Sequence, residues 1–97
     1  MATTRSIVQE ELGHTEAASL ISAAIQILVN ENYSGVPFSE EKVIHLAWKA
    51  KHMVDANCSQ LAGLPLYEQQ NVIKLYLEGQ PATEILPAGR HLEVAFT

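Results

Sequence analysis

The segment of residues 16–31 constrains the fold most, because its helical pattern is apolar around most of its circumference. One face holds Leu20, Ile21, Ala24, Ile27 and Leu28, a second holds Ala18, Ile25 and Val29, and a narrow polar strip holds Ser19, Ser22, Gln26 and Asn30. A helix of this kind is normally buried on most sides, yet a chain of 97 residues has few other helices to cover it. Two alternatives follow: the segment is the central core helix of a monomer, or part of it is buried in a homodimer.

A second long helix is predicted over residues 39–62, with a signal at each end. Ser39 can cap the first turn, and Phe38 can pack on Val43 as a hydrophobic staple. Gly63 and Pro65 mark the end, since glycine accepts a left-handed turn and proline cannot continue the hydrogen-bond ladder. The apolar stripe of this helix, bordered by Met53, consists of Val43, Leu46, Ala47, Ala50, Val54, Cys58 and Leu61.

Shorter elements complete a mostly helical fold. Ser6 and Gln9 match the capping-box pattern and predict a short helix over residues 7–12. Pro65 is expected at the first position of a third main helix, which Gly79 ends. We therefore predict one all-α domain over residues 1–97: a small bundle of three main helices, with a short N-terminal helix in residues 1–14 and a C-terminal extended arm or strand in residues 80–97.

Composition and charge limit the environment and the partners of the chain. The formal net charge is −5, so the overall field argues against nucleic-acid binding. A single cysteine leaves no internal disulfide and suits a reducing cytosol. We find no signal peptide and no apolar run that could cross a membrane. The chain is therefore predicted to be cytoplasmic, without membrane contact.

Two features predict a surface for a protein partner. Ile44 and Trp48 lie together on a flank of the second long helix, outside its apolar stripe. Tryptophan is favoured at interfaces, although the first helix could instead cover Trp48 within the monomer. Residues 91–96 alternate as a strand does; this segment could pair with its twofold mate, pair with another protein, lie on the helices as an arm, or be disordered. The predicted partner-binding residues are Ile44, Trp48, Lys51, Leu92, Val94 and Phe96.

A cationic cluster on the face of this helix opposite its apolar stripe is an alternative binding site. It consists of Lys42, His45, Lys49 and His52. Such a cluster could hold a phosphate, a nucleotide or an acidic protein surface. The simpler interpretation is a solvated helix face.

No residue pattern predicts catalysis or a metal site. His45 and His52 are too far apart in sequence for the i, i+4 pair of helical zinc sites. Cys58 lies at the edge of the apolar stripe without an adjacent base, so we predict a small core residue rather than a nucleophile. The sequence therefore predicts a non-enzyme without metal or cofactor.

A further set of residues shows a partial similarity to a known family. The set is Val43, Ile44, His45, Ala47, Lys49, Ala50, Ser59, Gln60, Pro65, Tyr67, Gln70, Val72 and Ile73. With these residues, the region 43–77 resembles the small bacterial and phage version of the ryanodine-receptor-type domain, although the tryptophan and glycine signature near the C-terminal end of such domains is missing. The resemblance implies a non-catalytic module that recognises nucleotide-like ligands.

Together these patterns predict a non-enzymatic regulator that binds a protein partner. We expect a homodimeric helical protein that sequesters or inhibits a partner such as a transcriptional regulator or a defence factor. The alternative is a sensor or sponge for a small nucleotide-like anion, held by the cationic cluster.

Overall fold

The computed structural model describes residues 3–32 and 39–86 together with residue 92, and these residues form helices around one core. The helices are α1 (Thr4–Leu12), α2 (Glu16–Asn32), α3 (Glu40–Ala56), α4 (Cys58–Ala62), α5 (Leu66–Leu77) and α6 (Ala82–Ile85). The all-α prediction is confirmed, and no strand occurs in the described part of the chain. The predicted staple residue Phe38 lies outside the described residues, as does the predicted strand of residues 91–96 apart from Leu92.

The central helix is α2, which contacts α1, α3 and α5. Thr15 caps it, because the Thr15 hydroxyl accepts a 3.1 Å hydrogen bond from the Ala18 backbone N–H. Its buried residues are Ala18, Ile21, Ser22, Ala24, Ile25 and Leu28, none more than 5% exposed. The monomer itself therefore buries these residues, as the first of the two alternatives expects. Leu20, Ile27 and Val29 are only partly buried, so burial of part of α2 in a homodimer stays a prediction.

The first helix begins earlier than predicted, because its cap is Thr3. The Thr3 hydroxyl accepts from the Ser6 backbone N–H at 3.1 Å, and the Ser6 hydroxyl accepts from the Thr3 N–H at 2.9 Å. Ser6, predicted to be the cap, instead takes the third-residue role predicted for Gln9. Gly13 then separates α1 from α2 with a φ of +89°, a conformation that glycine adopts readily.

The predicted helix over residues 39–62 is divided in two at Asn57. Ser39 caps α3 as predicted, since its hydroxyl accepts from the Lys42 backbone N–H at 3.3 Å. Asn57 is 2% exposed. Its Nδ2 donates to the Met53 carbonyl at 2.8 Å, and its Oδ1 accepts from Gln60 Nε2 at 3.1 Å. The buried amide is satisfied by local groups, an arrangement that competes with continued helix.

The buried stripe of α3 and α4 is displaced from the predicted one. Its members are Val43, Leu46, Ala47, Ala50, Met53, Asn57 and Leu61. Met53, predicted at the border, is 1% exposed, whereas Val54 is only partly buried. Cys58 is exposed, so the prediction of a small core residue is wrong. The error arises because a polar residue, Asn57, occupies a core position that hydropathy assigns to its apolar neighbours.

The boundaries of α5 correct two further predictions. Pro65 is the cap of this helix rather than its first residue, a difference of one position. Gly63 has a φ of −81° and does not adopt the predicted left-handed conformation, whereas Gly79 does, with a φ of +93°. The short helix α6 occupies part of residues 80–97, the segment predicted as a C-terminal extended arm or strand. Among the described helices, none is both long enough and apolar enough to span a membrane.

Candidate protein-binding surface

Trp48 lies at the surface where α3 packs against α1. The side chain is 41% exposed, and its indole Nε1 donates a 3.0 Å hydrogen bond to Oε1 of Glu11. The ring centroid lies 6.3 Å from that of His52, with 41° between the ring planes. The first helix therefore covers Trp48 only in part. Because the indole N–H is already bonded, a partner can bury the remaining apolar ring without leaving a donor unpaired.

The residues predicted to share this surface differ in how far they are exposed. Ile44 is only partly exposed and packs against the core, so it offers a partner less contact area than Trp48 does. Lys51 Nζ lies 2.7 and 2.8 Å from the two carboxylate oxygens of Asp55, one turn further along α3. This pair adds a polar edge to the surface.

Of the three C-terminal residues predicted for the partner surface, Leu92 is the one that the structure describes. Leu92 is 4% exposed and belongs to the hydrophobic core. Its side chain is therefore not available to a partner, in agreement with the alternative of an arm on the helices at this position. Val94 and Phe96 lie outside the described residues, so their part in the predicted surface stays a prediction.

The predicted cationic cluster is spread along α3 rather than gathered at one point. Residues 42 and 52 are separated by about 15 Å along a helix axis, at 1.5 Å per residue. Lys49 Nζ lies 5.4 Å from the ring centroid of Tyr76, in a cation–π contact within the chain. Lys42 and His52 also have interaction partners, and His45 is exposed. One small anion therefore cannot contact all four cations.

A second exposed apolar surface lies at the start of α5 and was not predicted. Leu66 and Tyr67 are 60% and 72% exposed. Leu66, Leu20 and Glu16 line two neighbouring clefts of about 380 and 360 Å³. Helical periodicity places Leu66 in the same stripe as the buried Ile73, two turns further on. The helix begins at Leu66, however, and its first turn extends beyond the cover that its described neighbours provide.

The cleft of about 380 Å³ contains the one cysteine of the chain. Cys58 lines it together with apolar residues such as Leu61 and Ile73, and no histidine belongs to the lining. A thiol becomes a strong nucleophile beside a histidine or a cation, and the described lining of this cleft has neither; its one charged residue is Glu16, whose negative charge disfavours the thiolate. Within the same part of the chain, no group of three or more His, Cys, Asp or Glu side chains is placed to hold a metal ion.

Comparisons with protein-family models, with curated proteins and with solved structures find no match to this chain. The resemblance of residues 43–77 to the ryanodine-receptor-type domain therefore stays a prediction.

Proposed function

We propose that this protein is a non-enzymatic regulator that binds a protein partner through a surface centred on Trp48. The observation that supports the proposal is the indole ring of Trp48, which is 41% exposed and held by Glu11 at 3.0 Å. A ring that is already fixed in one orientation loses little conformational entropy on binding. Tryptophan is also among the residues that most often dominate the binding energy of an interface.

The surroundings of Trp48 fit the usual anatomy of a protein interface, in which an apolar centre is bordered by polar groups. Glu11 accepts the hydrogen bond from the indole N–H, and the His52 ring lies 6.3 Å from the Trp48 ring. The Lys51–Asp55 pair lies further along the same helix. A partner that buries Trp48 would present an apolar pocket for the ring and hydrogen-bonding groups for this border. By sequestering the segment that carries that pocket, the regulator would inhibit its partner.

Self-association is the second part of the proposal. The contact between two copies would use Leu66 and Tyr67, the exposed apolar pair at the start of α5, together with the partly buried Leu20 of α2 beside Leu66. In a twofold dimer both copies contribute the same residues, so Leu66 and Tyr67 would enter the contact from each side. Sedimentation equilibrium is expected to give a dimer for the natural chain and a monomer for Leu66→Gln. If the natural chain stays monomeric at high concentration, the proposed homodimer is wrong, whereas the proposed partner binding through Trp48 is not affected.

Affinity capture from the source cell, with quantitative mass spectrometry, tests the partner surface. The natural chain, Trp48→Glu and the matched variant Asn71→Glu serve as baits; Asn71 is exposed on another helix, α5. We expect the partner to be lost with Trp48→Glu and retained with Asn71→Glu. Equal recovery by all three baits would contradict the assignment of the surface.

A further inference from the structure

A cleft between α1 and α2 combines an arginine with part of the polar strip of α2. Its volume is about 320 Å³, and it is lined by Arg5, Ser19, Ser22, Ala23 and Gln26. The α2 members are spaced by three and four residues, so they lie on one face of the helix. This strip is the polar exception in an otherwise apolar helix, and the surface around Trp48 does not use it.

Among the described residues, Arg5 is the one charged residue that lines this cleft. Lys51 and Lys74 form ion pairs with Asp55, Glu31 and Glu78, whereas Arg5 forms no ion pair within the described part of the chain. The chain has eleven acidic residues against six lysines and arginines, so most of its cations could be paired, yet none of the described acidic residues pairs with Arg5. Its guanidinium presents up to five N–H donors in a planar fork that matches a carboxylate or a phosphate.

The polar strip adds further donors beside the guanidinium. The Ser22 hydroxyl donates to the Ser19 carbonyl at 2.9 Å, which fixes this 5% exposed side chain in the cleft wall. The Ser19 side chain is exposed, and its hydroxyl is in place to donate. Gln26 Nε2 donates to Asn30 Oδ1 at 3.0 Å, and its second N–H is left for another acceptor. The lining by described residues thus offers one cation, a hydroxyl and an amide N–H, without a carboxylate.

We propose that this cleft binds a small molecule through its carboxylate or phosphate group. Arg5 is the anchor, with a bidentate contact to two oxygens of the anion, and Ser19 and Gln26 donate to the same group. A volume of about 320 Å³ lies near the lower limit of small-molecule sites, about 300–1,000 Å³, so the ligand is small. The site is distinct from the cationic cluster of α3 and does not depend on the proposed protein partner.

Titration of the isotope-labelled full chain, followed by NMR, tests this site. The probes are sodium phosphate and sodium succinate, with sodium chloride at matched ionic strength as the control. We expect the Arg5 Nε–H and Gln26 side-chain amide signals to shift in a saturable way with at least one of the two anions. The anion that saturates first shows whether the group is a phosphate or a carboxylate. The absence of saturable shifts, or equal shifts with chloride, would overturn the site.

Four variants distinguish specific anion binding in this cleft from non-specific electrostatic attraction to the protein. Arg5→Gln is expected to weaken binding about tenfold or more, because a charge-assisted contact is lost. Arg5→Lys keeps the charge without the fork and should weaken binding several-fold, as should Ser19→Ala. Lys49→Gln removes a cation from α3 and should leave the affinity unchanged. Unchanged affinity of Arg5→Gln, or shifts that map to α3 around Lys49, would overturn the proposal; circular dichroism establishes that each variant is folded.

Discussion

The indole N–H of Trp48 donates to the carboxylate of Glu11 across 3.0 Å, and this bond joins α3 to α1 between residues 37 positions apart in the sequence. It fixes the orientation of a ring that is 41% exposed. The same bond therefore connects the packing of the bundle with the proposed partner surface.

Removal of this bond should loosen the contact between the two helices. Glu11→Ala is expected to lower the free energy of unfolding by about 0.5–1 kcal/mol, because the bond is partly solvated. Fluorescence from Trp48, the one tryptophan of the chain, should shift to longer wavelength as the ring gains solvent. Glu10→Ala removes the same charge from an exposed neighbour and serves as the control. Equal effects of the two substitutions would show that the bond contributes nothing.

Burial of α2 within the monomer predicts a large cost for truncation of its core residues. Ile25 is 0% exposed, so Ile25→Ala should lower the free energy of unfolding by about 2–5 kcal/mol, as other large-to-small core substitutions do. Ile27 is only partly buried on the same helix, and Ile27→Ala should cost clearly less. Chemical denaturation followed by circular dichroism measures both. If the two substitutions lowered the free energy of unfolding equally, Ile25 would not be more deeply buried than Ile27, and the orientation of α2 in the core would be wrong.

Asn57 is predicted to stabilise the break between α3 and α4 despite its polarity. Asn57→Ala removes the donor to the Met53 carbonyl and the acceptor for Gln60, at an expected cost of about 1–3 kcal/mol in unfolding free energy. The higher helix propensity of alanine offsets part of this cost. The exposed Asn71 on α5 provides the control, with a change within about 0.5 kcal/mol for Asn71→Ala. A more stable Asn57→Ala protein would contradict this role.

The exposure of Cys58 predicts a thiol that reacts in the folded protein. Its reaction with a disulfide reagent should proceed in native buffer at a rate close to that in denaturant. Cys58→Ser should change the free energy of unfolding by less than about 0.5 kcal/mol. A cysteine placed at Ala50, which is 0% exposed, in the Cys58→Ser background should be protected and provides the contrast. If the Cys58 thiol reacted only in denaturant, its side chain would be buried in the core, as the sequence pattern predicts.

The sequence predicts the helices well wherever local chemistry decides their position. The cap at Ser39 and the stop at Gly79 follow from the side chain and the backbone freedom of single residues. The division at Asn57 could not be predicted in this way, because it depends on a core in which a buried amide finds its partners. Hydropathy periodicity also fails at Leu66, since it identifies a face but cannot show whether a neighbour extends far enough to cover it.

The candidate sites were predicted less completely than the fold. The position of Trp48 outside the apolar stripe indicates a second contact, and the structure shows that α1 supplies part of it through Glu11. The Arg5 cleft needs two helices to meet, so neither the polar strip of α2 nor Arg5 indicates it alone. The spread of charges from Lys42 to His52 follows from helical rise, but the contact of Lys49 with Tyr76 depends on how α5 packs.

Environment-sensitive labelling of Trp48 tests the proposed partner surface most directly. Because the chain has one tryptophan, incorporation of 5-fluorotryptophan gives a single ¹⁹F NMR signal for Trp48. On addition of the captured partner, we predict that this signal shifts and loses its dependence on H₂O and D₂O as the ring leaves water. A partner that binds while the signal keeps both its position and its solvent dependence would contradict a surface centred on Trp48.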